Sequence, residues 1–292
     1  MYVSDKHSLL RGLALLSLIG VGSSLHAAFN FEVSGVQTQI FDTSTDVPTS
    51  GSSANYDSNT AVDDFAVFDM VAVDDGDGST TDFADLRVTY SADNGGIGSD
   101  IMIAQTSNSQ GLTDTGTISV LVDLNSAGTA SLTFDWFEPG SFVGGVEQSG
   151  SSMLTTKVNY TTFDIDFSQL VRVQTSDLSS YTIDNPTSLT AVDNGTTISF
   201  EDDGADSTFD DPTTAAQFLT RDAIASHAVD VGKQSSSGPA LFMFEFRDPS
   251  DVVIFNDPQT TPVPEPSAYA IILSGFALVF TVCRRRRSIP AE

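Results

Sequence analysis

Residues 131–137 read Ser-Leu-Thr-Phe-Asp-Trp-Phe, and their alternation decides the fold class. Leu132, Phe134 and Trp136 fall on one side of an extended chain, with Ser131, Thr133 and Asp135 on the other. Side chains of a strand alternate between faces, so this pattern makes a strand with one apolar face. Leu86, Val88 and Tyr90 alternate in the same way with Asp85, Arg87 and Thr89. Phe163, Ile165 and Phe167 alternate with Thr162, Asp164 and Asp166, and Ile198 and Phe200 with Thr197, Ser199 and Glu201. Phe242, Phe244 and Phe246 share one face of a further strand. Such strands build sheets with one packed and one solvated side.

Turn signals separate the strands. Asp93-Asn94-Gly95-Gly96, Asn125-Ser126-Ala127-Gly128 and Asp193-Asn194-Gly195 each follow an apolar run. Asn-Gly pairs allow the positive φ angles of tight hairpins. About ten to twelve strands are expected, too many for one flat sheet. The expected fold is mainly β, a two-sheet antiparallel β-sandwich of jelly-roll-like topology. One helix is expected inside it, opened by Asp211-Pro212-Thr213 and running from Thr214 to Val229. Residues 43–60 read as a long polar loop.

Charge narrows the function classes. Residues 28–261 hold six basic residues against 36 acidic ones, a formal charge of −30. That field repels nucleic acid, which is excluded as a partner. Most acids are Asp set among Gly, Ser, Thr and Asn, which is turn chemistry. Asp75, Asp77 and Asp82 are weak Ca²⁺ candidates, since oxygen ligands suit that ion. The spacing is not that of an EF-hand loop: from Asp75, Thr80 stands where glycine is needed and Leu86 where the bidentate Glu belongs. No other cofactor is indicated. Glu201-Asp202-Asp203-Gly204-Ala205-Asp206 with Asp210-Asp211 forms a second acidic loop.

Catalytic chemistry has little to work with. His227 is the one histidine outside the first 27 residues. It falls on the expected helix beside Ser226, where adjacent residues do not face each other. A surface or capping role is expected for it. A carboxylate pair suited to glycoside hydrolysis cannot be picked from so many acids. Trp136 shares its face with Leu132 and Phe134, so it reads as core rather than a sugar-stacking platform. Cys283 is the single cysteine, so no intrachain disulfide can form.

Both ends carry targeting patterns. Lys6 and Arg11 precede an apolar run, Leu13–Val21, and small residues, with a cut expected near Ala27 or Ala28. This defines a signal peptide and its helix over 1–27. At the other end stand Val263-Pro264-Glu265-Pro266-Ser267, an apolar run from Ala268 to Cys283, then Arg284-Arg285-Arg286-Arg287. Arginines beside an apolar span resist export and fix its orientation. The seventeen residues 267–283 cover roughly 25 Å as a helix, at the short end for a bilayer. The expected organisation is an ectodomain over 28–257, a Pro-rich linker over 258–266, a single transmembrane helix over 267–283 and a cytoplasmic Arg-rich tail over 284–292. Prolines 258, 262, 264 and 266 favour extended backbone and are expected to hold the tripeptide clear of body and bilayer.

Pro264-Glu265-Pro266, the short membrane span and the terminal arginines together resemble the PEP-CTERM sorting domain. The resemblance covers residues 262–287. It implies recognition of the tripeptide by a membrane-embedded exosortase, then cleavage and transfer to another surface anchor. It further implies a Gram-negative host producing biofilm or exopolysaccharide. The precursor would sit in the inner membrane with its body in the periplasm, and the mature protein at the cell surface or outside. Exosortase is the expected partner, with exopolysaccharide or other surface polymers beside it. The body is expected to be non-enzymatic; a carbohydrate- or Ca²⁺-dependent binding module is the alternative, and a carboxylate-based secreted hydrolase the next.

Overall fold

A computed structural model describes residues 30–40, 62–73, 79–94, 97–105, 116–202, 204, 208, 210–221, 224–235, 237–247, 250 and 252–265. The expected signal helix, the polar loop over 43–60 and the transmembrane helix lie outside these residues. The first strands are β1 (Asn30–Thr38), β2 (Phe65–Val73), β3 (Thr80–Asp93), β4 (Ile97–Gln105), β5 (Ile118–Leu124) and β6 (Gly128–Phe137). A short hairpin follows, β7 (Phe142–Val143) and β8 (Val146–Glu147). Then come β9 (Asn159–Phe163), β10 (Gln169–Gln174), β11 (Leu178–Ile183), β12 (Thr190–Asp193) and β13 (Thr197–Glu201). The last are β14 (Ala216–Thr220), β15 (Ser226–Lys233), β16 (Gly238–Glu245) and β17 (Gln259–Pro262).

Two large antiparallel sheets face each other, so the protein is a β-sandwich. One has eight strands in the order β1-β2-β3-β6-β15-β10-β13-β12, the other seven in the order β17-β11-β14-β9-β16-β5-β4. The strands β9 to β16 pair from the outside in: β9 with β16, β10 with β15, β11 with β14 and β12 with β13. These nested pairs fall alternately in the two sheets, as in the rolled hairpin of a jelly roll. The earlier strands extend the sheets, with β6 beside β15 and β5 beside β16.

The core lies between the sheets. Phe134, Trp136, Tyr160, Phe200, Phe218, Phe242, Phe244 and Phe246 are all essentially inaccessible to solvent. Trp136 meets Phe246 edge-on at 5.5 Å and Phe200 meets Phe218 edge-on at 5.0 Å, the geometry that ring quadrupoles favour. Trp136 is core, as its alternation indicates.

The solvated side of each sheet is less simple than period-two patterning implies. Val67, Phe137 and Phe142 form an apolar cluster outside the main core, under β7. Phe163, Ala215, Met243 and Val253 form another, against Val252 and Phe255. Short segments fold back and cover each.

The expected helix over 214–229 does not form. Asp211 does cap one turn of 3-10 helix, Pro212–Thr214, its Oδ1 accepting from Thr213 N at 2.9 Å. Beyond it Ala216, Phe218 and Thr220 are buried while Gln217 and Leu219 are half-buried. That period of two fits β14 between β9 and β11, and sheet pairing overrides the helix propensity of the alanines. Only one of the three turn signals closes a hairpin: Gly195, at φ 85°, turns β12 into β13. The other two carry the chain from one sheet to the other.

Candidate functional site

The C-terminal segment leaves the sandwich at a defined edge. β17 pairs with β11, from Gln259 opposite Ile183 to Pro262 opposite Ser180. The stretch 258–266 is therefore not a free linker: residues 259–262 belong to the sheet, because their backbone completes the β11 edge. Val263 follows with its side chain in the core, 7% exposed, and its N–H donating to Ser179 O at 2.8 Å. Arg221, just after β14, closes over this point. Its Nε donates to Ser176 O at 2.8 Å, and its Nη2 lies 3.2 Å from Thr175 O, 3.3 Å from Val263 O and 3.1 Å from Pro264 O. The first proline of the tripeptide is thus held against the body rather than clear of it. Pro266, Ser267, Arg284–Arg287, Ala27 and Ala28 lie outside the described residues.

A cavity of about 270 Å³ opens on the outer face of the eight-stranded sheet. Ser34 and Gln37 from β1, Asp69 from β2, and Asp82 and Asp85 from β3 line it, with Phe142 closing one wall. The register of β2 and β3 shifts between Met70 and Val71, pairing Asp85 with Asp69 but Asp82 with Val71. This bulge at Phe83 reverses the alternation, so Asp82 and Asp85 share the outer face. Asp85 is 3% exposed, and its Oδ2 accepts from Phe142 N at 2.7 Å. Burial pushes its carboxyl above the ordinary range; the Phe142 amide opposes this, and the charge of Asp69 adds to it. Asp69 in turn accepts from Gln37 Nε2 at 2.6 Å. The lining is rich in acceptors and suits ligands that bring O–H or N–H donors.

Asp82 is the one described residue of the three Ca²⁺ candidates. Among the described residues no group of three or more acidic, His or Cys side chains is placed to hold a metal ion. In the second acidic loop, Asp202 accepts from Gly204 N at 2.8 Å, which is turn chemistry.

His227 corrects its expected surface role. It lies on β15 rather than a helix, 4% exposed. Its ring stacks on Phe134 at 5.0 Å and on Tyr160 at 5.2 Å. A base walled in by aromatic rings has no reach to a nucleophile.

One constellation left no trace in the pattern. In the β9–β10 turn, Asp164, Phe167 and Ser168 all take positive φ, between 48° and 68°. Asp164 and Asp166 are buried there while Phe167 is 57% exposed, and Lys233 Nζ sits 5.1 Å from the Phe167 ring centre. Phe167 is thus solvent-facing, against the apolar face its spacing assigned it. The alternation Phe163-Ile165-Phe167 runs on past the end of β9, where the chain turns.

No protein family matches this sequence, and no curated protein does. Among solved structures, the N-terminal domain of the Streptococcus gordonii adhesin Sgo0707 aligns at 10% identity with a TM-score of 0.40, over 75% of this chain. The chain spans 60% of that domain's length. A carbohydrate-binding module from the β-sandwich super family aligns at 10% identity with a TM-score of 0.20, over 72% of this chain and 96% of the module. No residue of this chain takes a role from either.

Proposed function

We propose that the protein is an exported, non-enzymatic surface component whose precursor is sorted through Pro264-Glu265-Pro266. The observation that carries this is the order of residues 259–287: an ordered edge strand, the tripeptide, an apolar span and four arginines. Residues 267–283 hold the precursor in the inner membrane with Arg284–Arg287 in the cytoplasm. An exosortase-type enzyme cuts at the tripeptide, and the body passes to the cell surface or the surrounding polymer. The tail leaves beside the β10–β11 turn, at one end of β10. The β9–β10 turn with Phe167 stands at the other end of that six-residue strand, roughly 20 Å away.

The test is the mass of the C-terminal peptide of the mature protein from native cells, with and without Glu265→Ala. A wild-type terminus within Pro264–Ser267 and an uncut tail in the variant are expected. An intact Arg284–Glu292 end in both would leave a plain single-pass membrane protein.

The cavity favours a second reading, in which the sandwich also binds a hydroxyl-rich polymer such as exopolysaccharide. Thermal melting with oligosaccharide fragments tests it: a rise in the wild type that is lost in Asp69→Ala is expected. Identical melting with and without sugar sinks it.

A further inference from the structure

The C-terminal segment is fastened unequally along its length. β17 has four residues, all exposed, and pairs on one side only, with β11. Beyond its backbone ladder, β17 has one side-chain bond to β11, between Thr260 Oγ1 and Thr182 Oγ1 at 2.8 Å, and so short an exposed edge strand opens readily. Two groups oppose that opening. Val263 buries its side chain and donates to Ser179 O. Arg221 draws together the carbonyls of Thr175 and Ser176 on one side and those of Val263 and Pro264 on the other. It is one of six basic residues in a stretch with 36 acids, yet its guanidinium is spent on carbonyl oxygens.

Resting on the sorting reading above, we infer that the folded body withholds its own sorting tripeptide, with Arg221 and Val263 as the latch. An enzyme that cuts a peptide needs it extended in a cleft, with free main-chain groups. Extended recognition of this kind draws its affinity from those groups. In the closed state the carbonyl of Pro264 is already engaged, and the body begins one residue before it. Cutting therefore follows opening, and its rate scales with the open population. Arg221 is a positioning residue in this reaction: it touches the substrate segment and not the enzyme.

The test is a pulse-chase of tail cleavage on the full-length precursor in native cells. The chains compared are wild type, Arg221→Ala, Arg221→Lys and a Gly-Ser-Gly-Ser insertion between Val263 and Pro264. Losing a charged hydrogen-bond set is expected to speed cleavage about tenfold in Arg221→Ala. The insertion should match it, because it frees Pro264 without touching the body. Arg221→Lys, which keeps the charge but not the planar fork, should fall between. Melting temperatures of the four chains show that the bodies remain folded. An insertion variant that melts as wild type yet is cut no faster overturns the latch. A tail uncut in every chain overturns the sorting reading and the withholding role together. Exchange of the Val263 amide reads the latch separately: it should quicken in Arg221→Ala, and an unchanged rate refutes it.

Discussion

Replacing His227 with phenylalanine is expected to remove part of the protein's sensitivity to acid. The ring is enclosed between Phe134 and Tyr160, and neither nitrogen has a hydrogen-bond partner among the described groups. Burial lowers its pKa from 6.5 to about 4, with nearby Asp135 opposing the shift. The folded ring then stays neutral to about pH 4, while the unfolded ring takes up a proton below 6.5. Between these values the unfolded state binds more protons, so stability falls as pH falls through the window. The contribution is complete above 6.5 and gone near 4. At about 1.4 kcal/mol per pH unit, that window is worth about 3 kcal/mol. Urea unfolding of wild type and His227→Phe across the same pH range measures it. The larger ring and the removal of unpaired nitrogens shift the variant by an amount that does not depend on pH. The carboxylates titrate in both proteins. Both contributions cancel when the two curves are subtracted, and the slope that remains belongs to His227. The difference should move by about 3 kcal/mol in favour of the variant between neutral pH and pH 4. A flat difference refutes the buried, neutral ring. His227→Leu gives the same slope if phenylalanine overpacks the site.

Asp85→Asn should raise the melting temperature at pH 7. Burial raises the carboxyl's pKa, so its contribution is favourable in acid and is lost as pH rises through the folded value. Asparagine keeps an acceptor for Phe142 N without the charge. The gain should shrink as the buffer is made acidic, and a gain independent of pH would count against burial as its cause. Gly232→Ala should destabilise by about 1–3 kcal/mol in chemical denaturation, as overpacking does. A Cβ there would stand 2.1 Å from Gly128 O and 2.8 Å from Thr129 Cα, both backbone atoms of the paired strand β6. Wild-type stability in that variant would mean that β6 and β15 do not approach so closely.

The sandwich is legible because stretches of its core strands obey period two. Leu132, Phe134 and Trp136 do so, and all are buried. Where burial and propensity disagree, local pattern points to the wrong element. Ala215, Ala216 and Ala223 suggest a helix, but Ala216 and Phe218 are spaced for a sheet that only the finished fold supplies. His227 followed the same error: once 226–233 is a strand, its place beside Phe134 follows from the β6–β15 register. The cavity was hidden for another reason. Its carboxylates come from two strands, and the β3 bulge that puts Asp82 and Asp85 on one face leaves no mark in local alternation. Arg221 carried a faint signal, the scarcity of basic residues around it.

That scarcity also explains how the fold accommodates its buried carboxylates. Six basic side chains cannot neutralise 36 acids, so the chain meets many carboxylates with backbone N–H groups. Asp85 takes the amide of Phe142, Asp184 that of Asp257, Asp202 that of Gly204 and Asp211 that of Thr213. Such bonds stabilise the ionised form locally and need no counter-ion. The arginines are left for structural pairs: Arg87 with Asp135, Arg172 with Asp230 and Arg247 with Glu32. Each ties neighbouring elements, and Arg87 also lies over the ring of Phe137 at 5.0 Å. In a chain this poor in cations, the Arg221 guanidinium lies on four carbonyls at the root of the C-terminal segment and, among the described residues, in no ion pair. Arg221 thereby joins Val263 and Pro264 to Thr175 and Ser176 of the β10–β11 turn.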